Sequence, residues 1–245
     1  MIRTFFICLL MILSSAGIFS QSRLVSNSLQ TIVVTTKDWN AVQGKAQLFE
    51  RRHKKANWQA VGNSFPVVVG KNGLAWSDDA RMKAETEPHK VEGDGRAPAG
   101  IFALTSAFGS SAKPEFIKLP YTRLTDAVEC VDDTNSKQYN LIVDNKNIPA
   151  DWTSSEKMLA VGAQYDLGVF VAHNSTPRVT GKGSCIFLHI WKNDSTGTAG
   201  CTAMERSNIE KITARLAARK NPALIQMPEI AYQHFQQLWK LPQIK

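Results

Sequence analysis

The chain has 245 residues, 43% of them hydrophobic, and 29 Lys and Arg against 21 Asp and Glu give a formal net charge of +8. That leaves room for one domain with a substantial core. A basic chain can meet nucleic acid, anionic lipid or an acidic polymer, but here only Arg51-Arg52-His53-Lys54-Lys55 forms a run. No helix-turn-helix or RNA-binding signature accompanies it, so the run reads as a solvated loop and nucleic acid is not an expected partner.

The N-terminus opens Met1-Ile2-Arg3, continues with an apolar run from Thr4 to Leu13, and then turns to the small residues Ser14 to Gly17. One positive charge, a short apolar run and small residues is the layout of a secretory signal. The run is shorter than the roughly 20 apolar residues a membrane span needs. The expectation is therefore a leader over residues 1–20, cut near Gly17 or Ser20, and one domain over 21–245. That domain would be exported to the periplasm or cell envelope with no stable membrane insertion.

In chain order, strands are expected at Thr31 to Thr36 and Leu48 to Glu50. Pro66 to Gly70 and Leu74 to Trp76 read as a β-hairpin turning at Asn72-Gly73. Asp94, between glycines, is expected to fix a tight turn, and Asp132-Asp133 a solvated one. Tyr139 to Val143 and Gly168 to Ala172 are further strand candidates, and His173 reads as a surface histidine at a strand end. The strongest strand is Cys185 to Trp191. Two helices come after it. Ser207 and Glu210 form a capping box, with Ile209, Ile212 and Leu216 on one face and Pro222 ending the helix. Pro228 opens the second, with Ala231, Phe235 and Leu238 on one face and Pro242 after it. His53, His89 and His234 lie outside any motif. The fold class is mostly β with α, that is α+β.

Once Cys8 leaves with the leader, Cys130, Cys185 and Cys201 remain. An odd number in an oxidising compartment leaves at least one thiol over. There is no C-x-x-C and no H-E-x-x-H, so no metal is expected. Along the strand to Trp191, Ile186, Leu188 and Ile190 form an apolar face, and His189 shares the other with Cys185, Phe187 and Trp191. If the polar stretch Lys192 to Gly197 closes a hairpin centred on Ser195, His189 lies opposite Cys201, within reach of an imidazole–thiol hydrogen bond. Cys185, four residues from His189 along one strand, is roughly 13 Å away. An imidazole beside a thiol makes a competent nucleophile, and the small Ala199 and Gly200 let backbone N–H groups turn toward an oxyanion. With Cys201 reserved for chemistry, Cys130 and Cys185 could pair; the alternative is a buried free thiol at Cys185.

Two segments, Gly183-Ser184-Cys185-Ile186-Phe187-Leu188-His189 and Thr198-Ala199-Gly200-Cys201-Thr202-Ala203-Met204, resemble the signature of L,D-transpeptidase (YkuD-type) catalytic domains. The likeness extends through Glu92 to Phe102, similar to the family's GDGxTPxG segment, the stretch Val67 to Trp76, and Asp132-Asp133 to Tyr139-Asn140. It covers most of the chain after residue 45. The resemblance implies a β-sandwich or open barrel with C-terminal helices and an acyl-enzyme on Cys201, with His189 as base. It also implies that Thr198 and Gly200 shape the site, that backbone N–H groups near Gly200 and Cys201 form the oxyanion hole, and that no cofactor is needed. The expected substrates are peptidoglycan stem peptides, cross-linked by transfer or trimmed by hydrolysis. Ala199 and Ala203 stand where many relatives carry His and Arg, and the interval from His189 to Cys201 is shorter than theirs.

Overall fold

The computed structural model describes residues 23–78 and 86–244; the expected leader lies outside them. Among the described residues the β-branched and aromatic segments form thirteen strands. In chain order these are β1 (Gln30–Thr36), β2 (Gln43–Glu50), β3 (Gln59–Val68), β4 (Leu74–Trp76), β5 (Ala97–Gly109), β6 (Tyr121–Arg123) and β7 (Val128–Val131). β8 (Ile142–Asp144), β9 (Ser155–Lys157), β10 (Gly168–Val171), β11 (Phe187–Ile190), β12 (Thr202–Met204) and β13 (Ala223–Pro228) complete them. A 3-10 segment, Met158–Tyr165, precedes β10, and two helices, α1 (Arg206–Arg215) and α2 (Glu229–Gln236), come late.

Eight strands close a mixed barrel in the order β10-β11-β12-β3-β2-β1-β13-β5, and pairing of β10 with β5 completes the ring. β4 and β6 attach to β5 from outside. Ile32, Val34, Val67, Ile101, Leu188 and Met204 are among the core residues, all almost fully buried. α1 packs against β11 and α2 against β13 and β1. The fold is thus α+β, with a barrel and C-terminal helices, as the sequence suggests.

A second sheet, β8-β7-β9, is separate from the barrel. Glu129 of β7 ties it together, accepting bonds from Asn145 (2.7 Å) and Trp152 (3.1 Å) and from Ser155 and Lys157. Burial pushes its carboxyl up, but these four donors outweigh that and hold it at about 2. A second apolar cluster unites this sheet with one face of the barrel. In it, Val128, Cys130, Met158 and Tyr165 pack with Phe108, Cys185, Phe187 and Cys201.

Several local expectations are corrected. The Asn72-Gly73 turn exists, with Gly73 at φ +87°, where a Cβ would meet the Trp39 carbonyl oxygen at 2.1 Å. Beyond a single Gly70–Gly73 bridge, however, β4 does not return along β3; it pairs parallel with β5. Tyr139 and Asn140 lie in a turn, and the strand there begins only at Ile142. Ser207 lies inside α1, whose N-cap is Glu205 with no side-chain cap bond. Leu238 is 56% exposed; Tyr232 and Trp239 join Ala231 and Phe235 in the core instead.

Candidate active site

β11 runs between the two cores. Leu188 and Ile190 enter the barrel cluster, while Phe187 belongs to the second cluster, and side-chain alternation puts His189 on that same face. β12 lies beside β11 in parallel, with Leu188 opposite Thr202 and His189 opposite Ala203. The expected antiparallel hairpin is therefore wrong. Lys192 to Gly197 belongs to a return loop, not a hairpin turn, because β12 must also pair antiparallel with β3, Ala203 opposite Val68.

Cys201 immediately precedes β12 and shares the second cluster with Phe187. By strand spacing, the Cα atoms of His189 and Cys201 are diagonal neighbours about 8 Å apart. No hydrogen bond joins the two side chains among the described residues. His189 Nδ1 instead bonds the Ile190 carbonyl at 2.8 Å, so Nδ1 carries the proton and Nε2 is left as the basic nitrogen. Burial pulls its pKa down to about 4, partly opposed by that bond.

The Cys201 thiol accepts the Phe187 N–H at 3.3 Å and donates to the Cys185 carbonyl at 3.5 Å. Burial pushes its pKa up to about 12, Glu156 adds to the rise, and the Phe187 N–H, Tyr165 and Lys90 oppose it. At rest it is a protonated thiol. It is also the free cysteine among the described residues, because Cys130 and Cys185 are disulfide-bonded.

Thr198 Oγ1 donates to the Cys201 carbonyl at 2.6 Å and accepts the Gly200 N–H at 3.1 Å, bracing the turn that carries the thiol. Thr198 is itself anchored by backbone bonds to Val69 and Lys71. The Gly200 N–H is thus already engaged. The Cys201 N–H has no partner among the described residues. A Cβ on Gly200 would sit 3.2 Å from the Arg96 carbonyl oxygen, so the Glu92 to Arg96 loop packs directly on this turn. Asp94 holds that loop, accepting from Lys90 Nζ (2.6 Å), Arg96 N (2.9 Å) and Val91 N (3.0 Å), which is the tight-turn role expected.

His173 is not a surface residue. It is 1% exposed, with Nδ1 bonded to Ser77 Oγ at 3.1 Å and Nε2 to the Lys182 carbonyl at 2.8 Å. Asp132 and Asp133 are not a solvated acid pair either. Asp133 is buried and is held at about 2, first by the Thr153 N–H and then by that of Asn135. Sequence reasoning misses the part played by three residues. Asn140 accepts the Cys185 N–H at 3.0 Å and donates to the His173 and Asn174 carbonyls, fixing the entry to β11. Tyr165 lies 5.2 Å from the His189 ring and donates to Glu156 at 2.6 Å. No motif marks Tyr165 or Glu156. A groove of about 490 Å³ is lined by Arg123, Asn140, Asp144 and Phe170 and by none of Cys201, His189, Thr198 and Gly200; Phe170 packs 5.8 Å from Phe187.

A lone thiol, an imidazole with its basic nitrogen free and an unengaged N–H beside the sulfur suit acyl transfer through a thioester. The class agrees with sequence comparison. The model of the YkuD L,D-transpeptidase catalytic domain matches residues 48–225, so the chain belongs to that family and is a cysteine-dependent enzyme of the L,D-transpeptidase type. No curated protein and no solved structure gives a match.

Proposed function

We propose that the protein is exported and forms L,D cross-links in peptidoglycan, with Cys201 as nucleophile and His189 as acid–base group. The observation that carries this reading is the pairing, on one face of the sheet, of a free thiol with a histidine whose Nε2 is unprotonated. His189 Nε2 takes the thiol proton as sulfur attacks the carbonyl of the L-centre residue, diaminopimelate in a diaminopimelate–D-alanine bond. In free enzymes such contacts are often long and tighten with substrate, so the diagonal placement is compatible with this role. The Cys201 N–H supports the oxyanion. His189 then protonates the departing D-alanine amine, leaving a thioester. An acceptor amine from a second stem peptide attacks it, and the proton released returns through His189 to sulfur.

Purified protein incubated with donor and acceptor muropeptides, with products read by mass, tests the reading. A cross-linked dimer lacking one D-alanine is expected. Trimmed monomers alone, at high acceptor concentration, would replace transfer by L,D-carboxypeptidase action through the same thioester. No turnover of any stem peptide would leave a wall-binding module with an idle thiol.

A further inference from the structure

Four segments far apart in sequence meet at the mouth of the barrel where β1 and β13 begin and β2 ends. Gln30 donates to the Arg215 carbonyl (2.7 Å) and to Glu50 (2.9 Å), and accepts the Ala217 N–H (2.9 Å). Leu29 is bonded to Lys220 and Arg51, and Lys118 bridges to Ala217. Segments 23–29, 50–58, 115–118 and 215–221 thus form one rim. They hold nine Lys and Arg against two Glu, which leaves 20 Lys and Arg against 19 Asp and Glu in all the rest of the chain. Nearly all of the net charge of +8 therefore sits on this rim. Arg23, Arg52, Lys55, Lys118, Arg215 and Arg219 are exposed, and none of them is in an ion pair among the described residues. Glu50, one of the two acids, is taken by Lys220 at 3.2 Å.

We propose that this rim docks the protein, peripherally and without insertion, on an anionic phospholipid bilayer. The basic turn is held in shape for such a contact. Arg51 points inward, its Nε donating to the Ser28 carbonyl at 2.8 Å and its guanidinium lying 4.2 Å over the Trp58 ring, so that Arg52 and Lys55 are left facing solvent. Phe116, 43% exposed and two residues before Lys118, adds an apolar side chain to the cations. Cations around an exposed aromatic ring suit a surface with phosphates outside and hydrocarbon beneath, more than they suit a wholly polar polymer. Arg23, where the described chain begins, belongs to the rim, and the apolar run Thr4 to Leu13 ends only nine residues upstream of it, so the rim is the face nearest the bilayer during export. The contact also orients the site. At about 3.3 Å per residue, β3 runs about 30 Å from Gln59 at the rim to Val68. Val68 pairs with Ala203, two residues past Cys201, so docking turns the thiol away from the lipid. The inference uses the export proposed above but not the proposed reaction.

The test is cosedimentation of the exported protein with vesicles of phosphatidylcholine and phosphatidylglycerol, roughly two to one, beside vesicles of phosphatidylcholine alone. The measurement needs no peptidoglycan turnover, so it stands or falls apart from the proposed reaction. The wild type should bind the anionic vesicles and leave the neutral ones. Binding should be lost as salt is raised from about 0.1 M to about 1 M, which shortens the screening length from about 10 Å to about 3 Å. Each cation at the surface is worth roughly fivefold in partitioning, so the triple variant Arg52→Gln, Lys55→Gln, Arg219→Gln should bind about a hundredfold more weakly. All three positions are exposed, and thermal melts should show the fold unchanged. Lys37→Gln, Lys45→Gln, Lys71→Gln removes as much charge from exposed positions at the opposite end of β1, β2 and β3 and should bind as the wild type does. Equal binding to both kinds of vesicle, or an equal loss in the two triple variants, would overturn the proposal. So would rim-dependent binding to purified peptidoglycan with none to the anionic vesicles, which would make the wall polymer the partner.

Discussion

Replacing both Cys130 and Cys185 with Ala removes a cross-link between β7 of the small sheet and the entry to β11, 55 residues apart in sequence. In the chain-entropy account, freeing a loop of that length costs about 4 kcal/mol, between the values for 15 and 100 residues. Both half-cystines are buried, so lost sulfur contacts add to this in the double variant. Reduced wild-type protein isolates the cross-link from the packing. For a domain of this size each kcal/mol shifts Tm by about 2–4 °C, so reduction should lower it by roughly 8–16 °C. Urea unfolding with and without reductant gives the free energy directly. The consequence for the site is geometric, since the Cys185 carbonyl accepts the Cys201 thiol proton. If reduction cost less than about 1 kcal/mol, the cross-link could not be restraining the unfolded chain, and the reasoning would fail.

Cys201→Ala should abolish turnover with the fold intact, and His189→Ala should cripple acylation; steady-state assays beside circular dichroism check both, and an active Cys201→Ala protein would refute the thioester. Thr198→Val removes the hydroxyl that braces Cys201 and Gly200, and should cost about 1–2 kcal/mol in urea unfolding and lower kcat. Thr198→Ser should retain both, and equal loss in the two variants would show that the hydroxyl is not the brace. His173 and His189 are both held down to about 4 from an ordinary value of 6.5. Below pH 6.5 the unfolded chain binds protons that these histidines refuse when folded, so stability present at neutral pH is lost as pH falls toward 4, by up to about 1.4 kcal/mol per pH unit for each. His173→Gln should reduce that slope in melts taken between pH 6.5 and 4; an unchanged slope would mean that His173 titrates normally.

Strands whose apolar pattern is continuous or alternating are legible in the sequence: Thr31 to Thr36 is β1 but for its first residue, and Gly168 to Ala172 and Cys185 to Trp191 contain β10 and β11. β5 does not read as a strand, because Pro98 and Gly100 interrupt it and it is buried on both faces for most of its length. β13 escapes too: Pro222 reads as a helix stop, and the strand after it is only six residues long, with a buried Gln226 among them. The site shows the same division. Cys201, His189 and Thr198 carry a local signature. Their spatial relation does not, since the turn chemistry of Lys192 to Gly197 is compatible with a hairpin or a return loop, and the choice is made by β3, more than a hundred residues earlier. Glu156 and Tyr165 come from a segment without periodicity, and only the disulfide and the second core bring them to the thiol.

Ring closure has a consequence for how the chain meets its neighbours. Most barrel strands are flanked on both sides, but β3 meets β12 only at Val67 and Val68, so its stretch from Gln59 to Pro66 pairs with β2 alone; the other strands with a bare flank, β4, β6, β8 and β9, are three residues long. Among the described residues that stretch of β3 is the long flank on which another polypeptide could template itself, and it is interrupted by Gly62 at φ +68° and by Pro66, which has no N–H to give. Self-association or capture of an extended peptide by backbone pairing would have to begin along that flank of β3, while around the rest of the closed wall it would have to work through side chains in grooves.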